Sequence, residues 1–384
     1  MAKLLVKDDL SCLTEKRQVK RPSSTKDIQE PGSSCDKNEI CLSDETEQRT
    51  PEQEVTAVNA VVKKQSPSVY QKCVKFVKEN GDWQRNVYSE WFHNMVPGFT
   101  FGFAAWLLHF HEMPIAATCV LSIGHILAGW KSHDIAHDPW RRNTWLRLMY
   151  PTLFCGFTSS WWDPMHNAYH HCYPNMVDVD KDISTSPFLM HSISNVWIHQ
   201  FQHLYHWLPF SILKWSWRIR SILASSFIEL VYIMLHYFIG CYIFGAWIFI
   251  ISIFMDGEVS AIILSLNHDA EIKTSTPGDF MLQTLRSTID IDVPWGLGWL
   301  FGNVQYQTLH HLFPYIPSYR YENLIPVIKR YCNEYGLNYR TVPLWKAWLN
   351  HKRYYYHVVR KPIVGSTMKQ SCYQDNECNN KKYL

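Results

Sequence analysis

The sequence predicts an all-α integral membrane fold, with four transmembrane helices in two hairpins and a cytosolic helical cap that gathers a metal site. Three observations predict it. Two apolar stretches, 96–130 and 222–266, are each long enough for a pair of spans. The turns inside the pairs hold no Lys or Arg, whereas their flanks hold Lys131, Arg141, Arg142 and Arg147, then Lys214, Arg218 and Arg220, which puts the 131–221 segment on the cytosolic side. Three histidine clusters border these stretches on that same side: His133-Asp-Ile-Ala-His137, His166-Asn-Ala-Tyr-His170-His171 and Gln307-Thr-Leu-His310-His311.

Residues 1–65 are rich in Ser, Thr, Lys, Glu, Asp and Gln and bury too little apolar area to offset the entropy of ordering, so a disordered cytosolic tail is expected. A membrane domain follows over 66–367. Its start carries Tyr70, Val74, Phe76, Val77 and Trp83 at roughly helical spacing with Lys72, Lys75 and Lys78 between them, the pattern of an amphipathic helix on the membrane or on the protein surface. The spans are expected at about 96–110, 114–130, 222–240 and 241–266, with the first pair broken at His111-Glu-Met-Pro114. Segments 145–162 and 193–217 are apolar and aromatic but interrupted, and read as interfacial or capping pieces. Residues 368–384 read as a second disordered tail. Its end, Lys381-Lys382-Tyr383-Leu384, resembles the dilysine signal that returns membrane proteins to the endoplasmic reticulum; an even span count puts both termini in the cytosol.

A net charge of +3 over 384 residues leaves no footprint for nucleic acid. The mean hydropathy of −0.21 averages polar ends with an apolar middle. The 11 cysteines contain no Cys-x-x-Cys pair and read as reduced packing thiols. Residues 1–30 lack the apolar core of a signal peptide, and Ala2 excludes N-myristoylation.

On an α-helix, positions i and i+4 share a face. That pairs His133 with His137, pairs His166 with His170 beside His171, and gathers Gln307, His310 and His311. Imidazole binds Fe, Zn, Cu and Ni. Structural zinc more often brings cysteine, and Cys172 alone touches a cluster. Seven imidazoles exceed what one ion needs, so two metals sharing them, nearly free of carboxylate, point to iron and oxygen chemistry at a membrane face. Eight other histidines (His109, His111, His125, His191, His199, His203, His206 and His236) read as satisfied polar or interfacial groups. His109, His125 and His236 would instead suit a transmembrane heme electron carrier if they faced one another inside the membrane.

The three boxes, threaded in this order through two hydrophobic hairpins, resemble the membrane fatty acid desaturases over about residues 85–345. The front-end type, which inserts a double bond between an existing one and the carboxyl end, is the most similar. Its marks are Gln307 opening the third box, the context Ser287-Thr-Ile-Asp290-Ile-Asp292, and Trp161-Trp162 with Pro174-Asn175 and Asp178-x-Asp180 around the second. The resemblance implies two Fe ions, O2 as co-substrate, and electrons from cytochrome b5 and its NAD(P)H-dependent reductase. It implies a lipid acyl substrate on CoA, phospholipid or ceramide, with delta-5/delta-6 regiochemistry; a sphingolipid delta-8 desaturase or a lipid hydroxylase are the alternatives.

Carried over, the iron ligands are His133, His137, His166, His170, His171, His310 and His311, with His268 as a further candidate. Gln307 is a ligand or a group bonded to one, and Asp134 and Asn267 are read as supports for ligand histidines. No His-Pro-Gly-Gly heme motif occurs, so the electron donor is expected to be a separate protein. The second box has three residues between His166 and His170 where two are common, and Leu309 stands where Glu is common. These departures bear on substrate and regiochemistry more than on the metal site.

Overall fold

The computed structural model describes residues 68–138, 145–182 and 185–360. The two tails, 1–65 and 368–384 with its dilysine-like end, lie outside the described residues, as do Arg141 and Arg142. Helix α1 (68–79) buries Val69, Cys73 and Val77, spaced i, i+4, i+8, and stacks Tyr70 on Phe313 at 5.8 Å. Its apolar stripe therefore packs on the protein, which decides between the two surfaces the sequence allowed.

Helices α2 (Val87–His111) and α3 (Pro114–Ala136) form the first hairpin. Asn86 caps α2 by accepting from the Tyr88 and Ser89 N–H groups. Glu112, at φ 52°, ends it in the left-handed region, and Pro114 opens α3, where its missing N–H is not needed. A second pair of elements then leads to the other hairpin: α4 (Ser159–Pro164), continued by Met165–His170, and α5 (Trp207–Ala224). The hairpin itself is α6 (Phe227–Phe244) and α7 (Ala246–His268). Ser226 and Glu229 make a reciprocal capping box at the start of α6. Gly245, at φ 78°, makes the turn, and Gly240 lies so close to the Phe249 ring that a Cβ there would stand 2.2 Å from it.

Three of these helices, α3, α6 and α7, are long and apolar enough to cross a membrane. The first predicted span, 96–110, lies within the 25-residue α2, whose opening turns carry Glu90, His93 and Asn94. Three cations that the sequence reading placed on cytosolic flanks are buried in ion pairs. Lys131 Nζ lies 3.0 Å from Glu90, Lys214 Nζ lies 2.8 Å from Asp256, and Arg218 lies 3.9 Å from the same Asp256. Their role is to neutralise buried carboxylates, so they carry less topological information than their sequence positions suggested.

The longer elements that follow are α8 (Phe280–Ser287), α9 (Gln307–Leu312), α10 (Tyr321–Glu334) and α11 (Leu344–His357). The all-α prediction missed a parallel pair, β1 (Asp290–Asp292) on β2 (Thr341–Pro343), because three-residue strands leave no readable period. This pair ties the segment before α9 to the start of α11. Asp290 then fixes the first turn of α9, accepting from the Thr308 N–H at 2.9 Å and the Tyr339 hydroxyl at 2.6 Å.

Candidate metal centre

His133 is in the last turn of α3 and His137 caps it, while His268 closes α7, so two membrane helices deliver histidines to one place. The second box departs from the expected α-spacing. After Thr158 caps α4 by accepting from the Trp161 N–H, the chain widens into a π-turn over Met165–His170, and the His171 N–H donates to the His166 carbonyl five residues back. The wider turn puts His166 and His171 on one face, with Nε2 to Nε2 at 3.1 Å, and sends His170 to another. In the third box α9 sends His310 to His171, Nε2 to Nε2 at 3.1 Å, while Gln307 faces His311 at 3.3 Å and His268 at 3.0 Å.

Three overlapping groups result, each with candidate ligand atoms within 4.8 Å of one another: His133, His137, His166, His171 and His310; His170, His268 and His311; and His166, His170 and Asp182, which bridges the first two. All are buried except half-buried His137 and Asp182. His133 Nε2 and His137 Nε2 have no hydrogen-bond partner. Each such buried group costs about 1–3 kcal/mol, so the pair is costly unless a ligand engages it. Nitrogens 3.1 Å apart match two ligands on one metal at about 2.1 Å. The donor set therefore fits two metal ions.

Supporting groups fix which ring nitrogen is free. The His166 Nδ1 lies 2.6 Å from Asp182, and the His170 Nδ1 lies 3.0 and 3.1 Å from the two oxygens of Asp180. A carboxylate only accepts, so each Nδ1 carries the proton and each Nε2 is left as the donor to a metal. The His310 Nδ1 meets the Tyr321 hydroxyl at 3.1 Å. Burial, reinforced by neighbouring histidines, holds the pKa values of His166, His171, His310 and His311 well below the usual imidazole value, which keeps them neutral and able to ligate. For His170 burial opposes protonation as well, but Asp180 and Asp182 outweigh it and raise the pKa to about 9, so a metal ion binding there displaces a proton from Nε2. Burial lifts Asp182 to about 6, against the pull of His170.

Asp134 is a correction. Its carboxylate receives Arg85 at 3.0 Å and Lys131 at 3.4 Å and also faces the Ser318 N–H, while the histidine-holding carboxylates are Asp180 and Asp182. Asp134 stands one residue after His133 on α3, which turns it away from the face carrying His133 and His137. Asn267 bonds backbone rather than a ligand ring, donating to Ile289 O at 2.8 Å and Gln305 O at 3.3 Å. The residue that ties the second box to α7 is Asn175, whose side chain donates to His268 O at 2.8 Å and Ser287 O at 3.0 Å and whose own N–H donates to Asp180 at 2.8 Å. Asp180 and Asn175 stood in the motif context; Asp182 and Tyr321 carried no sequence signal.

A cavity of about 90 Å³ opens on the cluster, lined by His133, His166, His170 and His268 at one side. Trp130, Phe157, Trp162, Phe210, Leu213 and Trp217 form much of its wall, and Lys214 and Ser260 reach it farther along. Ser260 is eight residues from His268 on α7, about 12 Å of helix. A slot with a metal-competent wall and aromatic and aliphatic sides suits an apolar chain.

A fatty acid desaturase family model matches residues 105–343, more than half of the 384-residue chain. The chain belongs to the fatty acid desaturase family. Among curated relatives it is similar to a Physcomitrium patens acyl-lipid (9-3)-desaturase, 28% identical over 265 residues that cover 60% of this chain and 50% of that protein. A Mus musculus fatty acid desaturase 2-like protein is 25% identical over 64% of this chain and 57% of its own length. The Caenorhabditis elegans Delta(5) fatty acid desaturase fat-4 is 25% identical, with 61% of each chain covered. The chain thus spans about half to three-fifths of the length of these relatives. All three histidine boxes fall inside the family match.

Proposed function

We propose that this desaturase-family chain introduces a double bond into a lipid acyl chain, with front-end, delta-5/delta-6 regiochemistry, at a centre of two iron ions and with O2 as co-substrate. The observation that carries the reading is the division of eight buried or half-buried histidines into a group of five and a group of three around one apolar cavity. One ion would be held by His133, His137, His166, His171 and His310, the other by His170, His268 and His311. Gln307 serves the second group as a hydrogen-bond partner, or as a ligand once its amide turns to present Oε1. When bound, the metals supply the oxidising power that no side chain has toward an unactivated C–H bond. The residues do the rest. Asp180 and Asp182 orient His170 and His166, the cavity wall aligns the acyl chain, and burial excludes water.

In the membrane, α2 joins α3, α6 and α7 as the fourth span. The histidine-bearing ends of α3 and α7 then face the cytosol, within reach of a cytochrome b5 and its reductase, in the endoplasmic reticulum. Relatives named as acyl-lipid and Delta(5) desaturases support the substrate class. Lipid profiling of a host lacking such activity, expressing this chain, tests the reading. New unsaturated acyl chains with the bond on the carboxyl side of an existing one are expected. Hydroxylated chains in their place would favour the hydroxylase, and an unchanged profile in cells that accumulate iron-loaded protein would contradict the proposal.

A further inference from the structure

Helix α11 (Leu344–His357) begins just past residue 343, where the family match stops. Its inner face is fixed. Ala347 packs with Leu266, Ile289 and Ile291, and the Tyr355 hydroxyl donates to Asp269 at 2.7 Å, one residue beyond the end of α7. A helix pinned to the last turn of a membrane-crossing helix sits at the level of the lipid headgroups.

The outer face is the opposite of what water favours. Trp345, Trp348, Leu349 and Tyr356 are exposed, at i, i+3, i+4 and i+11, with Trp345 67% accessible. The patch continues on both sides. Leu344 packs against the same buried cluster (Ile126, Trp130, Ile263, Phe301, Val304) as Val293 and Leu300, which flank exposed Trp295 and Trp299, and His206 meets Trp348 at 6.1 Å beside exposed Trp207. The charge pattern selects the occupant. Residues 344–357 contain Lys346, Lys352 and Arg353 and no acid. Lys352 lies over the Trp348 ring at 4.8 Å, while Lys346 and Arg353 are exposed. Exposed aromatics interleaved with cations on a short amphipathic helix are what the bilayer interface takes, and cations there add affinity for anionic lipid.

We propose that α11 lies in the plane of the membrane surface, with Trp345 and Trp348 among the headgroups and Lys346 and Arg353 bound to anionic phospholipid, setting the height of the cap over the bilayer. The membrane is chosen over a protein partner because the patch is continuous with the end of α7. The test places a photoreactive benzophenone side chain at position 345 and, in separate samples, at 348 and at 333, a control on exposed cap helix α10. The full chain is irradiated in nanodiscs of equal phosphatidylserine and phosphatidylcholine, and adducts are read by intact mass. Lipid adducts at 345 and 348, mainly phosphatidylserine, and none at 333 are expected. Lys346→Glu with Arg353→Glu lowers the phosphatidylserine share at least about fivefold. Cross-links to polypeptide in place of lipid, or no adduct at 345 and 348 in monodisperse protein, would overturn the proposal. An unchanged lipid share in the charge-reversed variant would overturn its anionic-lipid part.

Discussion

Two sets of buried histidines share helix α3 and do different work. In the metal centre, side-chain groups hold Nδ1 of His166, His170 and His310, while Nε2 nitrogens of several elements converge. Away from that centre, His125 on α3 and His236 on α6 touch edge to face at 5.7 Å. Their Nδ1 atoms meet backbone carbonyls, Phe154 O at 3.2 Å and Leu153 O at 2.8 Å, and Phe249 packs against both rings. Their Nε2 atoms are unpartnered too, but no third ligand joins them: among the described residues every metal-competent group of three or more belongs to the centre at the cap. Beside them Arg218 and Lys214 share Asp256, a cationic surrounding that disfavours a metal ion. His109, the third residue a heme carrier would use, bonds Ile243 O at 2.7 Å apart from this pair. Burial and a free nitrogen are thus not enough. Convergence from several elements, with carboxylates on the far side of the rings, distinguishes a site from a packed polar group.

Breaking the first set has the largest expected effect. His310→Ala and His170→Ala each abolish product in microsomes and lower bound iron, one from each group; normal product from either variant would remove that histidine from the ligand set. Asp180→Ala sits one step down. Losing the carboxylate behind His170 weakens metal binding by about 10–100-fold, read by competition with a chelator, and Asp180→Asn is milder because it can still accept from Nδ1. In the second set the damage is to stability. Asp256→Asn leaves Lys214 and Arg218 buried without their counter-charge and costs about 3–5 kcal/mol by thermal unfolding in detergent, while iron per folded chain stays at the wild-type level. The smallest effect is for His236→Phe, which keeps both iron and product; loss of iron there would erase the contrast between the two sets.

The sequence made some of this legible and concealed the rest. The first hairpin's break could be read because Pro114 is punctuation with a fixed backbone meaning; the second was expected after Gly240, which instead lies inside α6 against the Phe249 ring, and the turn comes at Gly245. Seven of the eight histidines could be read because imidazoles in three spaced clusters are rare by chance; His268 stands outside those clusters and was offered by the family resemblance alone. Their division could not, since α-helical phase puts His166 with His170, and only the π-turn exchanges His170 for His171. Asp134 looked like a support because it adjoins His133, yet a neighbour at i+1 points elsewhere, whereas Asp182, 16 residues from His166, reaches it through a loop with no period to betray it. The buried cations Lys131, Lys214 and Arg218 imitated surface charge for the same reason: pairing with Glu90 and Asp256 is a long-range fact.

The central claim is that two groups of ligands hold two ions. Iron per chain, measured on purified protein beside Mössbauer spectra that report coupling between the ions, tests it most directly. The account predicts two coupled irons in the unmodified chain, and about one uncoupled iron in both His137→Ala, from the group of five, and His268→Ala, from the group of three. A single iron in the unmodified chain, or two coupled irons surviving in His268→Ala, would contradict it.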